Sequence, residues 1–522
     1  MQAKEISVKQ PSGILILISF IFLSIFATWP LILNLNKFYS RFSPNIYDTP
    51  QFVFRIHYYE DSIRSGKVPL TINQYFYPEG INPVRETLVL TYSILGGVLG
   101  IITNLEEIII HNLIIIFFLS LSCFSLFYLI LEFTNNKYAA FIGAMTPLSS
   151  KYLLYESMLG HPNTVQIFWI ILIFILIEKM IKRTKEIYGI FLGMSLSLLL
   201  FSSYEYFTYL TFIAPIYLLF RKPQIFYDKK ILKNFGIAIL IFLLTSFWYI
   251  RLFIGQEYRK RSITENLELS IRHIKVFSEI AHVLFLSFAV LGMVSSIIEG
   301  KKHLLPFIVI FIFSLIYSLG PFSKFSLQYL FLKYWPFVNA FRTPYRILAF
   351  SIISVSIFVS MFVQKIYKKG RIFAYLLILI FIFSINSQNS QIFRPSYFYN
   401  YSQEEIEFYK NISKIPGNFS IVEYPENNCF YLYHIIFHKK YLINGCASEP
   451  PQSYYMFMEK CDELLNISDE CLKEIKKVNL KYAIYHSEFY PNWNEIYNSL
   501  NSSKLLTLEG TLNSLFMFRV NG

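Results

Sequence analysis

Apolar residues in this chain come in long blocks. The first runs from Gly13 to Leu35, behind a short start carrying Lys4 and Lys9. Further blocks lie near 107–132, 138–155, 163–181, 187–203, 206–220, 232–254, 280–298, 303–319, 346–364 and 371–388. Most approach the length, about 17–25 residues, that crosses a bilayer as a helix. The pattern predicts an all-α polytopic membrane domain over residues 1–388, with about eleven spanning helices. The first block has no small-residue cleavage site, so it reads as a helix that is retained. The run 88–103 is shorter, and Gly96, Gly97 and Gly100 weaken it as a span. From residue 389 the pattern changes. Strand-like runs (Phe419–Tyr424, Lys440–Asn444, Tyr482–Tyr485, Ser514–Arg519) alternate with helix-like ones (Glu404–Ser413, Asn494–Leu500), which predicts a small α/β domain over 389–522.

Charge orients the spans. If 88–103 stays on the outer face, then Lys137, the basic runs 179–185 and 221–233, Lys301–Lys302 and 365–371 share one side with the N-terminus. The positive-inside rule favours that arrangement. It places the N-terminus in the cytoplasm of a multi-pass cell-membrane protein. The first loop (36–87), the loops at 156–162, 255–279 and 320–345, and the C-terminal domain are then outside. Composition agrees: 54% of the 522 residues are hydrophobic and only 16% charged, against roughly a quarter charged in soluble domains. The net charge of +13 is accounted for by the loop clusters and calls for no nucleic acid.

Cys123 lies in an apolar run, whereas Cys429, Cys446, Cys461 and Cys471 all fall in the tail. An even set there predicts two disulfides in an oxidising compartment, and Cys429–Cys446 with Cys461–Cys471 closes the shortest loops. A zinc site on these cysteines lacks a CxxC pair or nearby histidine spacing. The tail also holds five Asn-x-Ser sequons, at Asn400, Asn411, Asn418, Asn466 and Asn501, where residues 1–399 hold none. Chance accounts for any one of them. Their clustering beside the cysteines predicts a glycosylated outer segment.

The first outer loop opens with "YDTPQFVFRIHYYEDSIRSG" (47–66) and continues as "GKVPLTINQYFYPEGINP" (66–83), whose three prolines favour a fixed shape. About fifty residues is long for a connection between membrane helices, and ordered loops of that length tend to be functional. Asp48-x-Pro50 after the first helix, a helix with an inward His57, and then "YPEGINP" resemble the first outer loop of the GT-C superfamily of multi-pass glycosyltransferases. The segment "GAMTPLSSKYLLYESMLGHPNTVQIFWIILIFILIEK" (143–179) resembles that group's small-residue, Pro, Gly-His and Trp segment. "SLGPF" (318–322) and "YWPFVNAFRTPYRI" (334–347) resemble its later Gly-Pro and Phe-Arg-x-Pro-x-Arg segment. In the tail, "IVEYP" and "YLINGC" resemble the first strands of the outer domain some members carry.

The resemblance implies a transferase that moves a sugar from a polyprenyl-phosphate carrier to a glycan, lipid or protein acceptor on the outer leaflet. Its partners would be membrane lipid and the lipid-linked sugar. No metal is assigned by it, and a divalent-ion requirement stays open. It also implies roles. Asp48 matches the family's first-loop acid and would be the base that takes the acceptor proton; capping the following helix is its structural alternative. His161 matches the Gly-His, with Glu156 nearby. Glu205 is an acid at membrane depth, either functional or paired with an arginine. Arg342 and Arg346 would meet the carrier phosphate. Arg251 and the cluster Arg259, Lys260 and Arg261 sit outside against the charge bias, for a phosphate or for lipid head groups. His57 is a substrate contact or a packed histidine. Glu60 and Asp61 read as a solvated face. Glu107 and His111 share a helical face but are too few for a metal site. A non-catalytic glycolipid transporter or flippase, or a glycan-assembly factor, is the alternative function. A transporter more often carries an internal repeat with broken helices in both halves.

Overall fold

The computed structural model describes residues 12–521 apart from 41–47, 68, 83–85, 87–88, 254–278, 336–342, 393–396, 400, 427, 448 and 466. Arg259, Lys260, Arg261, Arg342 and the sequons at Asn400 and Asn466 therefore lie outside the described residues.

Four described helices are long and apolar enough to cross a membrane: Glu107–Thr134, Pro162–Arg183, Lys229–Phe253 and Pro344–Lys368. Six further apolar helices are shorter, among them Gly13–Ala27, Glu186–Ser202 and Val283–Ile298. Length alone thus supports fewer spans than the eleven expected. On the Lys229–Phe253 helix, Ile239, Leu240, Leu243, Leu244 and Phe247 are exposed, which suits a lipid-facing surface. The Pro344–Lys368 helix is instead the buried centre of the bundle.

The continuous span expected over 138–155 is not formed. Lys137–Ala144 is followed by a 3-10 turn, Thr146–Ser149, and a second short helix, Lys151–Met158. Pro147 cannot donate to the ladder, and nearby hydroxyls hold the break. Thr146 Oγ1 donates to Gly143 O at 2.7 Å, and Ser150 Oγ donates to Glu279 O at 2.8 Å.

The run 88–103 forms the helix Leu90–Thr103, 14 residues long. At 1.5 Å per residue that is about 21 Å, short of a ~30 Å hydrocarbon core. Its glycines serve packing against the first-loop helix Thr49–Arg64. A Cβ on Gly97 would meet Glu60 N at 2.8 Å and Tyr59 C at 3.0 Å.

The C-terminal part is a five-stranded sheet of order β4-β3-β5-β7-β6: β3 is Ser420–Tyr424, β4 Tyr441–Leu442, β5 Leu480–His486, β6 Leu506–Leu512 and β7 Leu515–Val520. Strand β3 is parallel to β4 and β5, while β7 is antiparallel to β5 and β6. Strand β6 and the helices Phe430–His438, Gln452–Cys461 and Asp469–Lys477 add to the elements expected from sequence. Two disulfides pin the three helices, Cys429–Cys446 at the start of Phe430–His438 and Cys461–Cys471 between the other two, and Cys123 is a buried free thiol.

The first loop is built into this domain. Leu442 N donates to Gln74 O at 2.8 Å, Tyr77 N donates to Leu442 O at 3.0 Å, and the Tyr77 ring stacks on Tyr441 at 4.4 Å. A second tie is a short ribbon in which Phe38–Ser40 (β1) pairs antiparallel with Tyr397–Tyr399 (β2). The loop therefore has a backbone anchor at the sheet edge, and the helix that starts at Thr49 is held between the helix Phe430–His438 and the bundle.

Candidate active site

Asp48 begins the first-loop helix, and Gln51 N donates to its carbonyl at 3.2 Å. Its side chain makes no cap bond to the helix. The carboxylate turns instead to His161, with Oδ2 3.1 Å from Nε2. The cap and the functional position are separated: backbone starts the helix, side chain faces the site.

His161 reaches Asp48 because of Gly160. That glycine has φ +66°, which L side chains rarely adopt, and a Cβ there would collide with Thr49 Oγ1 and come within 2.9 Å of His111 Nε2. Thr49 Oγ1 donates to Leu159 O at 3.0 Å and closes the contact from the helix side. On its other face His161 Nδ1 lies 2.8 Å from Glu156 Oε2. Glu156 stands on the second half of the broken span, so the break at Pro147 is what aims it here.

The network continues inward. Tyr345 OH donates to Glu156 Oε1 at 3.0 Å. Arg346 Nη2 lies 3.8 Å from Glu156 Oε2, and Nη1 donates to Glu205 Oε2 at 2.7 Å. Tyr209 OH and Thr343 Oγ1 donate to Glu205 Oε1 at 3.0 and 3.3 Å. Three carboxylates thus face one guanidinium and one imidazole. Burial alone would lower the His161 pKa, but Glu156 and Asp48 outweigh it and hold it up at about 9. Glu156 is held down at about 2: burial would raise it, and Arg346 and His161 overcome that. The side chain of Glu156 is fully buried, whereas that of Asp48 is 37% exposed. Asp48 is the carboxylate that an outside group can approach.

Asp48, His161, Glu205 and Arg346 are therefore brought together. Arg346 does not stand as an open cation for a phosphate, since its Nη atoms face Glu205 and Glu156. Glu205 has the arginine partner that sequence left as its alternative. His57 is not part of the cluster. It lies nine residues on from Asp48, about 13 Å along the helix, with Nδ1 2.7 Å from Glu107 Oε1 and Nε2 3.4 Å from Asp61 Oδ2. Glu107 and His111 have separate partners, His57 and Tyr92; Tyr92 OH is 2.6 Å from His111 Nδ1. Arg251 is exposed at the end of the Lys229–Ile250 helix and pairs with no acid among the described residues. Sequence reasoning did not single out Tyr345, Thr343 or Tyr209. The first two carry a signal in hindsight, since both lie inside the "FRTPYR" motif.

Near Asp48 the only other potential metal ligands in a described cluster are Cys429 and Cys446. Cys429 Sγ is 3.6 Å from Asp48 Oδ1. Both cysteines are tied in the disulfide and offer no thiolate.

A mostly helical bundle with apolar helices, a long loop bearing an acid and a small C-terminal sheet give the chain a GT-C-like fold, similar to solved structures. Solved structures carry the assignment. The chain is similar to the oligosaccharyltransferase AglB of Archaeoglobus fulgidus in complex with an inhibitory peptide and a dolichol-phosphate, with TM-score 0.56 and 12% identity over 94% of this chain and 71% of that one. It is also similar to the mycobacterial arabinofuranosyltransferase AftD, with TM-score 0.62 and 10% identity over 98% of this chain and 40% of that one. No protein-family model and no curated protein matches the sequence.

Proposed function

We propose that this protein is an integral-membrane glycosyltransferase that moves a sugar from a polyprenyl-phosphate carrier to an acceptor on the outer face of the membrane. The observation that carries the reading is the Asp48 carboxylate. It is part-exposed at one end of a GT-C bundle, turned away from its own helix and held by His161 at 3.1 Å. In the reaction the acceptor hydroxyl would lose its proton to Asp48 as its oxygen bonds the anomeric carbon. The bond from that carbon to the carrier phosphate breaks, and the electron pair leaves with the phosphate. His161, bridging Asp48 and the buried Glu156, would hold the base in position.

Several features support the finer points. The archaeal neighbour binds a dolichol-phosphate, which is a polyprenyl phosphate. Arg251 is an exposed cation at the Asp48 end of the bundle, and we assign it to the carrier phosphate together with Arg342. At the opposite end lie Lys182, Arg221, Lys233, Lys301 and Lys365, in ion pairs with Glu132, Glu178, Glu186 and Glu299. That end suits the cytoplasm, and the Asp48 end with the C-terminal domain then faces outward. Residues 1–388 would be the catalytic membrane domain and 389–522 the outer domain.

Purified protein supplied with polyprenyl-phosphate sugars and a panel of glycan, lipid and peptide acceptors tests the reading. Transfer by wild type and its loss in Asp48→Asn are expected. If wild type transfers nothing from any such donor, the glycolipid-transporter or assembly-factor alternative takes its place.

A further inference from the structure

Three side chains distant in sequence meet inside the C-terminal domain, apart from the Asp48 cluster. Glu423 lies on β3, His434 on the helix Phe430–His438, and His486 at the end of β5. All three are buried, and their donor atoms lie within 4.8 Å of one another. His434 Nδ1 is 2.9 Å from Glu423 Oε2 and 3.0 Å from Oε1. His486 Nε2 is 2.9 Å from the same Oε2, and Tyr409 OH donates to it at 2.8 Å.

Two features separate this from an ordinary buried ion pair. First, three donors converge on one carboxylate oxygen, which offers about two lone-pair directions. An ion at the meeting point would turn both imidazole nitrogens from donors into ligands and relieve that crowding. Second, each ring has an outer partner on its other nitrogen. His434 Nε2 is 3.1 Å from Tyr401 OH, and His486 Nδ1 is 3.7 Å from Glu488 Oε1. Histidines that ligate metals are oriented in this way, by a hydroxyl, carbonyl or carboxylate behind the ring.

We propose that Glu423, His434 and His486 bind one divalent transition-metal ion of the zinc type. Two imidazoles and a carboxylate are a zinc donor set, and the Tyr409 hydroxyl borders the fourth position. The ion would tie β3 and β5 to the helix Phe430–His438. That helix begins just after Cys429, whose Sγ lies 3.6 Å from Asp48 Oδ1. Metal binding would therefore brace the segment that covers the candidate base.

The test uses the full chain in detergent, stripped with a chelator, dialysed and titrated with Co²⁺ and then Zn²⁺. The expected result is one Co²⁺ per chain with the visible absorption of a tetrahedral site and no sulfur-to-cobalt band, because the nearby cysteines are disulfide-bonded. Zn²⁺ should displace it and raise the melting temperature. His486→Ala and His434→Gln should abolish both effects. Glu488→Gln, which keeps all three ligands, should weaken affinity about 10–100-fold. Wild type that binds no Co²⁺ and melts identically with and without Zn²⁺ overturns the proposal and leaves a hydrogen-bonded ion pair. Equal binding by wild type and a folded His486→Ala variant overturns it too. Should the variants not fold, the wild-type titration still decides.

Discussion

Asp48 and His161 are 113 residues apart and meet at 3.1 Å, with Glu156 2.8 Å behind the imidazole. One ring thus joins an exposed carboxylate to a buried one. The exposed member is placed to take a proton, and the buried member sets the position and charge of the ring between them.

Replacing Asp48 by Asn should leave the start of the helix intact, because the side chain makes no cap bond to it, and should cost only the charge of the part-exposed contact to His161. Removal of a general base should cost about a hundredfold or more in rate. Sugar transfer and a thermal melt, wild type beside Asp48→Asn, measure both. A variant that melts normally and transfers at the wild-type rate removes Asp48 from the mechanism.

His161 makes stability pH-dependent. Its pKa rises from 6.5 to about 9 on folding, so the folded protein holds the proton more tightly than the unfolded chain does. The contribution is fully present below about pH 6.5 and is lost as pH rises through about 9. Melting temperatures across that window should fall more steeply in wild type than in His161→Gln. Parallel curves would show that His161 is neutral in the folded protein.

Arg346→Ala would strand Glu205 and Glu156 without their guanidinium. Losing one partner of a buried pair costs about 3–5 kcal/mol, so denaturant midpoints should drop sharply. Arg346→Lys should recover only part of the loss, since an ammonium lacks the fork that spans both acids. Full stability in the alanine variant would mean that water or another cation serves these carboxylates.

Gly160→Ala tests the close approach of the His161 turn to the first-loop helix. With φ +66° and a Cβ against Thr49 and His111, the substitution should destabilise by more than ~1 kcal/mol. It should also lower the transfer rate by displacing His161. Unchanged activity would show that the Asp48–His161 distance is not critical.

Orientation is checked by labelling single cysteines in intact cells with an impermeant reagent. Glu495→Cys, in the C-terminal domain, should react, and Gln224→Cys, at the opposite end of the bundle, should not. The reverse pattern would invert the proposed topology.

Much of this molecule is written in local pattern. Apolar blocks announce membrane helices because burying backbone in lipid demands helices of a certain length and hydrophobicity. Short runs rich in aromatic and branched residues at Phe419–Tyr424 and Tyr482–Tyr485 announced β3 and β5, which are buried almost throughout rather than on one face. Strand β6 escaped because it is an edge strand with exposed alternate positions and a glycine at 510. The break at Pro147 was masked by apolar residues on both sides, which hydropathy averages into one span. The candidate site was legible only as separate residues. Asp48, His161, Glu205 and Arg346 each stood out as polar groups at the ends of apolar runs, but nothing local states which will touch. The packing of helices decided that Arg346 serves Glu205 and Glu156 and that His57 turns to Glu107, and the packing of a helix on two strands decided that Glu423, His434 and His486 converge. Such pairings depend on the direction in which each helix or strand presents a side chain. That direction follows from contacts many residues away in the chain, which periodicity along the sequence does not encode.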